Sequence, residues 1–170
     1  MSVCELREAV VAAATALDVA LVDRAEAERL RNEFETIRRA AAAASVALAK
    51  RVVECGAAAE SGDRSDADWL ARTSGVSVGA ARRELQTAAD LARAPETEQA
   101  LRRGAISEAQ AAAVAAAVAV VPDSEDRLLR LAQGTMALKR LEEECQRVRN
   151  RADDATARHE RIHRNRSYRR

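Results

Sequence analysis

The sequence predicts an all-α fold, and three observations carry that expectation. Hydrophobic residues make up 48% of the chain but aromatics only 2%, because alanine, the best helix former, supplies most of the apolar content. Only two prolines, Pro95 and Pro122, interrupt the 170 residues. Apolar residues recur at steps of three and four over long stretches, several of which open on a capping side chain. Alanine buries little area, so a core of this kind needs long helices that approach closely. The expected architecture is a long N-terminal helical hairpin over residues 1–60 and a central short-helix cluster over 65–134 with two helix-turn-helix-like corners. A long C-terminal amphipathic helix over 135–157 and a basic tail over 158–170 complete it.

The first helix spans about residues 3–20, with Leu6, Val10, Ala13 and Leu17 on one stripe. Asp23 and Glu26 form a capping box that opens a second helix reaching about residue 59. Its seam is Leu30, Phe34, Ile37, Ala41, Ala44, Leu48 and Cys55, a heptad-like run. The two helices pair as an antiparallel hairpin, or the seam joins two chains; the spacing fits both. Residues 60–64 form a polar, glycine-containing linker.

The stretch from Trp69 to Leu85 reads as helix, tight turn and helix. Ser65 caps the first helix, with Asp68 at capping-box spacing, and Trp69 and Leu70 supply its apolar face. Gly75 stands where a chain leaving a helix needs positive φ. Val76 is expected to plug the corner and Ser77 to cap the second helix. Ala81, Leu85, Ala88 and Ala92 face inward, and Arg82, Arg83 and Gln86 point elsewhere. This is the pattern of a DNA-binding helix-turn-helix. It is equally the pattern of a packing corner. The early positions Val78, Gly79 and Ala80 cannot make bidentate base contacts.

A short helix follows over about residues 96–103 and stops at Gly104. A second corner then repeats the first: Ser107 caps, Gln110 completes a capping box, and Ile106 is a hydrophobic staple. The next helix carries Val114, Val118 and Val121 and ends before Pro122. Another covers residues 124–133, with Leu128, Leu129 and Leu131 apolar. Thr135 is expected to cap the last helix, whose seam is Leu138, Leu141, Cys145, Val148, Ala152 and Ala155.

Net charge is +1, so the chain as a whole is no polycation. Residues 158–170, however, hold six arginines against one glutamate. Each arginine is a fixed cation with a fork suited to phosphate, and the segment reads either as a phosphate-binding arm or as a frayed end. Cys4, Cys55 and Cys145 are far apart and read as small core residues of a reducing cytoplasm. Charges interrupt every apolar run at the N-terminus, so neither a signal peptide nor a membrane span is expected.

The segment HERIH, residues 159–163, matches the zinc-protease pattern H-E-x-x-H. A catalytic zinc needs a third protein ligand, and no carboxylate, histidine or cysteine follows His163. No phosphate loop, CxxC pair or serine nucleophile elbow is present, so neither catalysis, metal nor cofactor is expected within this chain.

The pattern WLAxxxGVSxxxARRxL, then LRRGAISEAQA, then a leucine-rich helix and RIHRNRSYRR resembles domain-of-unknown-function family 222. The likeness runs from about Leu21 to the end. Its most specific parts are Trp69-Leu70-Ala71 with Gly75-Val76-Ser77, and Gly104-x-Ile106-Ser107-x-x-Gln110-Ala111. The family is actinobacterial and lies upstream of HNH nuclease domains. The resemblance implies a non-catalytic, DNA-associated helical module, joined in full-length relatives to a metal-dependent endonuclease. This sequence ends where such relatives continue.

Two functions are therefore expected as alternatives. As a duplex-binding module the chain would touch the DNA backbone through Ser77, Arg82 and Arg83 at the first corner and Arg102 and Arg103 near the second. Arg158, Arg161, Arg164, Arg166, Arg169 and Arg170 would add non-specific affinity. As a protein-protein interaction or oligomerisation module, for instance a homodimer, it would pair its helical seams with another chain and bind no nucleic acid.

Overall fold

The computed structural model describes the backbone of residues 2–167 and the side chains of residues 2–152. The described residues form α-helices and short 3-10 turns, with no strand. The chain divides into two compact units, Met1–Glu35 and Thr36–Arg170.

In the first unit, helix α1 (Val3–Ala16) opens on a capping box. The Glu5 N–H donates to Ser2 Oγ, and the Ser2 N–H donates to Glu5 Oε2. The helix ends before residue 20 because Asp18 starts a 3-10 turn, Val19–Leu21, by accepting the Ala20 N–H at 3.0 Å. α1 buries none of its residues, and the stripe expected to line a hairpin stays open to solvent. Helix α2 (Arg24–Glu54) begins where expected, with Asp23 Oδ1 accepting the Glu26 N–H at 2.9 Å.

From Thr36 onward α2 belongs to the second unit. The face it buries there is Ala43, Val46 and Ala49. That corrects the expected seam: Ala41, Ala44, Leu48 and Cys55 are exposed. Alanine stands on every face of this helix, so spacing alone does not choose which face packs. α2 also stops at Glu54 rather than residue 59, because Gly56 takes φ +80° and breaks the helical path. A separate turn, α3 (Ala57–Ser61), follows.

The remaining helices are α4 (Asp66–Ser74), α5 (Val78–Leu91), α6 (Pro95–Arg102), α7 (Glu108–Val118), α8 (Glu125–Gln133) and α9 (Leu138–Ser167). α7 is the hub. Ala111, Val114, Ala115, Ala117 and Val118 are all buried, and α5, α6, α8 and α9 pack around it. A helix apolar on every side must be enclosed. Leu101, Ile106, Leu128, Leu141 and Cys145 fill the spaces between these helices. A smaller cluster joins Ala49, Ala67, Leu70, Ala71 and Ala81 beneath Trp69, Val78 and Leu85.

Polar side chains tie the helix ends together. The capping box of α7 forms as expected: the Gln110 N–H donates to Ser107 Oγ at 3.2 Å and the Ser107 N–H to Gln110 Oε1 at 2.8 Å. Gln110 Nε2 also donates to the Ala132 carbonyl at 2.8 Å, joining the start of α7 to the end of α8. Glu125 Oε1 accepts both the N–H and the hydroxyl of fully buried Thr97, at 2.8 and 2.9 Å.

Thr135 does not cap α9. The Arg140 and Leu141 N–H groups donate to the Ala137 carbonyl, so the helix starts two residues later. Leu141, Cys145 and Val148 of its expected seam are buried, Leu138 is 38% exposed, and Ala155 lies outside the described side chains. The α9 backbone continues to Ser167, so residues 158–167 extend the helix rather than leave it. Of the cysteines only Cys145 is buried, and burial pushes its thiol up to about 11; Cys4 and Cys55 are exposed. Among the described residues, no helix is long and apolar enough to cross a membrane.

Ala115 is fully buried in the hub, where neighbouring helices leave room for one carbon. Ala115→Leu is expected to lower stability by about 1–3 kcal/mol through overpacking, read as a lower urea midpoint.

Candidate nucleic-acid interface

The first corner forms from local chemistry. Ser65 Oγ accepts the Asp68 N–H at 3.2 Å and gives its own proton to Asp68 Oδ2 at 2.6 Å, which starts α4. Gly75 closes α4 at φ +67°, and the Val76 N–H returns to the Ala71 carbonyl at 3.0 Å. Ser77 Oγ then accepts the Ala80 N–H at 3.1 Å and starts α5. Val76 does not plug this corner; it is 42% exposed, and Val78 packs against the cluster that holds Leu70 and Ala81 instead. A bidentate pair from Arg72 to Asp63, with Nη2–Oδ2 at 2.6 Å and Nε–Oδ1 at 3.2 Å, ties the end of α4 to the chain before it. Hydrogen bonds from Arg72 and Ser61 hold the Asp63 carboxyl below its ordinary range.

α5 presents three faces. Ala81, Thr87, Ala88 and Leu91 are buried, whereas Ala92, expected inward, is exposed. A second face, Ala80, Arg83, Glu84 and Thr87, lines a groove of about 1030 Å³ shared with α7 and α9. Four cations stand in that groove, Arg38, Arg83, Lys139 and Arg149, beside four carboxylates, Glu84, Glu108, Glu142 and Glu143. Its charge is therefore balanced. Burial, reinforced by the nearby Glu108 carboxylate, raises the Glu84 pKa above its ordinary value. The third face, Gly79, Arg82, Gln86 and Ala89, is exposed along its whole length.

The expected contact residues separate accordingly. Ser77 is the cap of α5, with its oxygen engaged by a backbone N–H. Arg82 is exposed and forms no ion pair among the described residues. Arg83, also exposed, turns toward the groove, its Nη1 3.7 Å from where a Cβ on Gly79 would stand. Arg102 is held by Glu98 at 2.6 Å. Arg103 is exposed and unpaired among the described residues. Arg158, Arg161, Arg164 and Arg166 lie on the α9 backbone, but their side chains fall outside the described residues, as do Arg169 and Arg170 entirely. The His159–His163 pair likewise lies outside the described side chains. Arg93, not singled out from the sequence, is exposed in the turn just past the α5 C-cap, Ala92.

The second corner is built alike and used differently. Gly104 takes φ +70° and is buried, and a Cβ there would stand 3.4 Å from the Thr36 carbonyl oxygen of α2. Arg39 Nη1 donates to the Gly104 carbonyl at 3.5 Å. α2 thus covers this corner, which leaves the first one as the open corner of the pair.

Residues 28–169 match the family model described as Domain of unknown function (DUF222), and the chain belongs to that family. No curated protein and no solved structure matched it.

A carboxyl whose pKa is raised on folding favours the folded state at acid pH, and that contribution is lost as pH rises through the folded value. Glu84→Gln should therefore melt above wild type at about pH 7, with the gap closing toward about pH 4. Thermal melts of both proteins across that range check this, and a constant gap would refute the assigned environment.

Proposed function

We propose that this DUF222 member is a non-catalytic, duplex-DNA-binding module that acts in the cytoplasm and binds chiefly through phosphate contacts. The open corner carries the reading. Arg82 and Arg83 stand on the first turns of α5, exposed and without ion-pair partners among the described residues, near the α5 N-terminus that Ser77 caps. Several surface arginines elsewhere have carboxylate partners, among them Arg24, Arg29, Arg72, Arg102 and Arg147. An arginine left unpaired on a helix-turn-helix corner suits a polyanion better than it suits stability. Arg103 and the arginines of residues 158–170 would add to the same field. The family resemblance supports the reading, because it implies longer relatives with an HNH endonuclease domain that would supply the metal and the chemistry while this module holds DNA.

Fluorescence anisotropy with a labelled random duplex at low and moderate salt tests it. Binding should fall steeply with salt, with a log–log slope near −0.9 for each phosphate neutralised. The double variant Arg82→Ala/Arg83→Ala should bind more weakly and with a slope shallower by about two such increments. Absence of binding at low salt would overturn the proposal.

A second reading has its own observation. On α2 the stripe Ile37, Ala41, Ala44 and Leu48 is exposed, with Leu48 62% accessible. A homodimer joined along this stripe would bury it. Light scattering at high concentration should then give twice the monomer mass, and Leu48→Glu should return it to one. A strict monomer at all concentrations would exclude the homodimer.

A further inference from the structure

The outer face of α5 has more definition than a phosphate-binding surface requires. Gly79, Arg82, Gln86 and Ala89 follow one another at steps of three and four, and all are exposed. Gly79 is the second residue of α5, where alanine would be the better helix former. Nothing within the fold asks for it at position 79. Its φ is not positive, and a Cβ there would meet no atom nearer than Arg83 Nη1 at 3.7 Å. Gly79 and Ala89 keep the surface low on either side of two long polar side chains, as a close-approaching partner would require.

Those two side chains differ in how they are held. Arg82 has no ion-pair partner among the described residues, so its five N–H donors face solvent. Gln86 is oriented: its Nε2 donates to Asp90 Oδ1, one turn on, at 2.9 Å. A carboxylate accepts only, so it also fixes which end of the amide it faces. The Gln86 Oε1 and the second Nε2–H remain, an adjacent acceptor and donor. That pair complements N6–H and N7 of adenine in the major groove, as the arginine fork complements O6 and N7 of guanine.

We propose that Arg82 and Gln86 read base edges in the major groove of duplex DNA, guanine and adenine respectively, with Asp90 as the positioning residue for the Gln86 amide. The inference rests on the DNA-binding reading above. Charge complementarity supports this occupant: Arg82 lies on the face, Arg83 borders it, Arg93 stands exposed just past the helix end, and the one carboxylate there, Asp90, is engaged by Gln86. A helix about 10–12 Å across fits a groove about 12 Å wide. Arg82 and Gln86 are four residues apart, about 6 Å along the axis, which spans about two base-pair steps of 3.4 Å. The preferred site therefore has a guanine and an adenine about two steps apart.

Selection of the full chain on a randomised duplex pool, followed by anisotropy titrations of the selected site and its single-base changes, tests this. Wild type should lose roughly 5- to 100-fold in affinity on changing either the guanine or the adenine. Gln86→Ala should lose discrimination at the adenine alone and bind an unrelated duplex as wild type does. Arg82→Ala should relax the guanine and weaken binding to every duplex. Asp90→Ala should relax the adenine, whereas Asp90→Asn, whose amide oxygen still accepts, should keep it; a purely structural Asp90 would not separate the two positions. Duplex binding with no preferred site, or a preference that survives Gln86→Ala, would overturn base reading and leave phosphate binding standing. Single-stranded DNA bound as tightly as duplex would overturn the major-groove assignment. No binding to any duplex would overturn this inference together with the reading it rests on.

Discussion

Everything in the larger unit depends on enclosing α7, a helix whose buried side chains are three alanines and two valines. One-carbon side chains contribute little hydrophobic free energy each, so stabilisation must come from how many helices reach them and how closely. Four helices do so. The larger residues stand on the surrounding elements, where Leu101, Ile106, Leu128 and Leu141 fill the angles between neighbours. A core of this kind tolerates neither a gap nor an added methylene well, because every contact is made at backbone range.

Short contacts between helix ends compensate for that thin apolar core. Gln110 caps its own helix and reaches the last turn of α8 with the same amide. Glu125, at the start of α8, takes both donors of Thr97 at the start of α6. Each bond satisfies a group that burial would otherwise leave bare, and loss of one partner costs more than the bond itself contributes. With α7 enclosed in this way, α5 is fixed on one side by the hub and on the other by α4. Its remaining face is exposed to solvent.

What could be read from the sequence was whatever local chemistry decides. Ser65, Ser77 and Ser107 start helices because a hydroxyl meets an orphan N–H three residues on, and Gly75 and Gly104 end them because φ must be positive. The α2 seam was misplaced for the opposite reason. In an alanine-rich helix several faces have the right spacing, and Ala43, Val46 and Ala49 are chosen by what packs against them. The Thr135 cap failed on competition, since the Ala137 carbonyl takes the first helical donors. At the candidate site, Arg82 and Arg83 were legible as exposed cations. Their separation onto different faces, one outward and one toward a groove, needs α7 and α9 in place. So does the pairing of Arg38, Lys139 and Arg149 with that groove, which joins residues over a hundred positions apart.

The two corners show where local pattern stops being a guide to function. Both place a left-handed glycine between a helix end and a serine cap, and from sequence they are equivalent. At Gly104 a Cβ would meet the α2 backbone, so the glycine permits a close crossing and the corner is interior. At Gly75 nothing lies within 4 Å, so that glycine answers only to φ and the corner is exterior. A binding surface needs an open approach and side chains not already engaged. Arg102 at the covered corner is engaged by Glu98, whereas Arg82 at the open one is not engaged by any described residue. The same turn therefore serves packing in one place and leaves a cationic helix face exposed in the other. What distinguishes them is that α2 crosses the turn itself at Gly104 and not at Gly75.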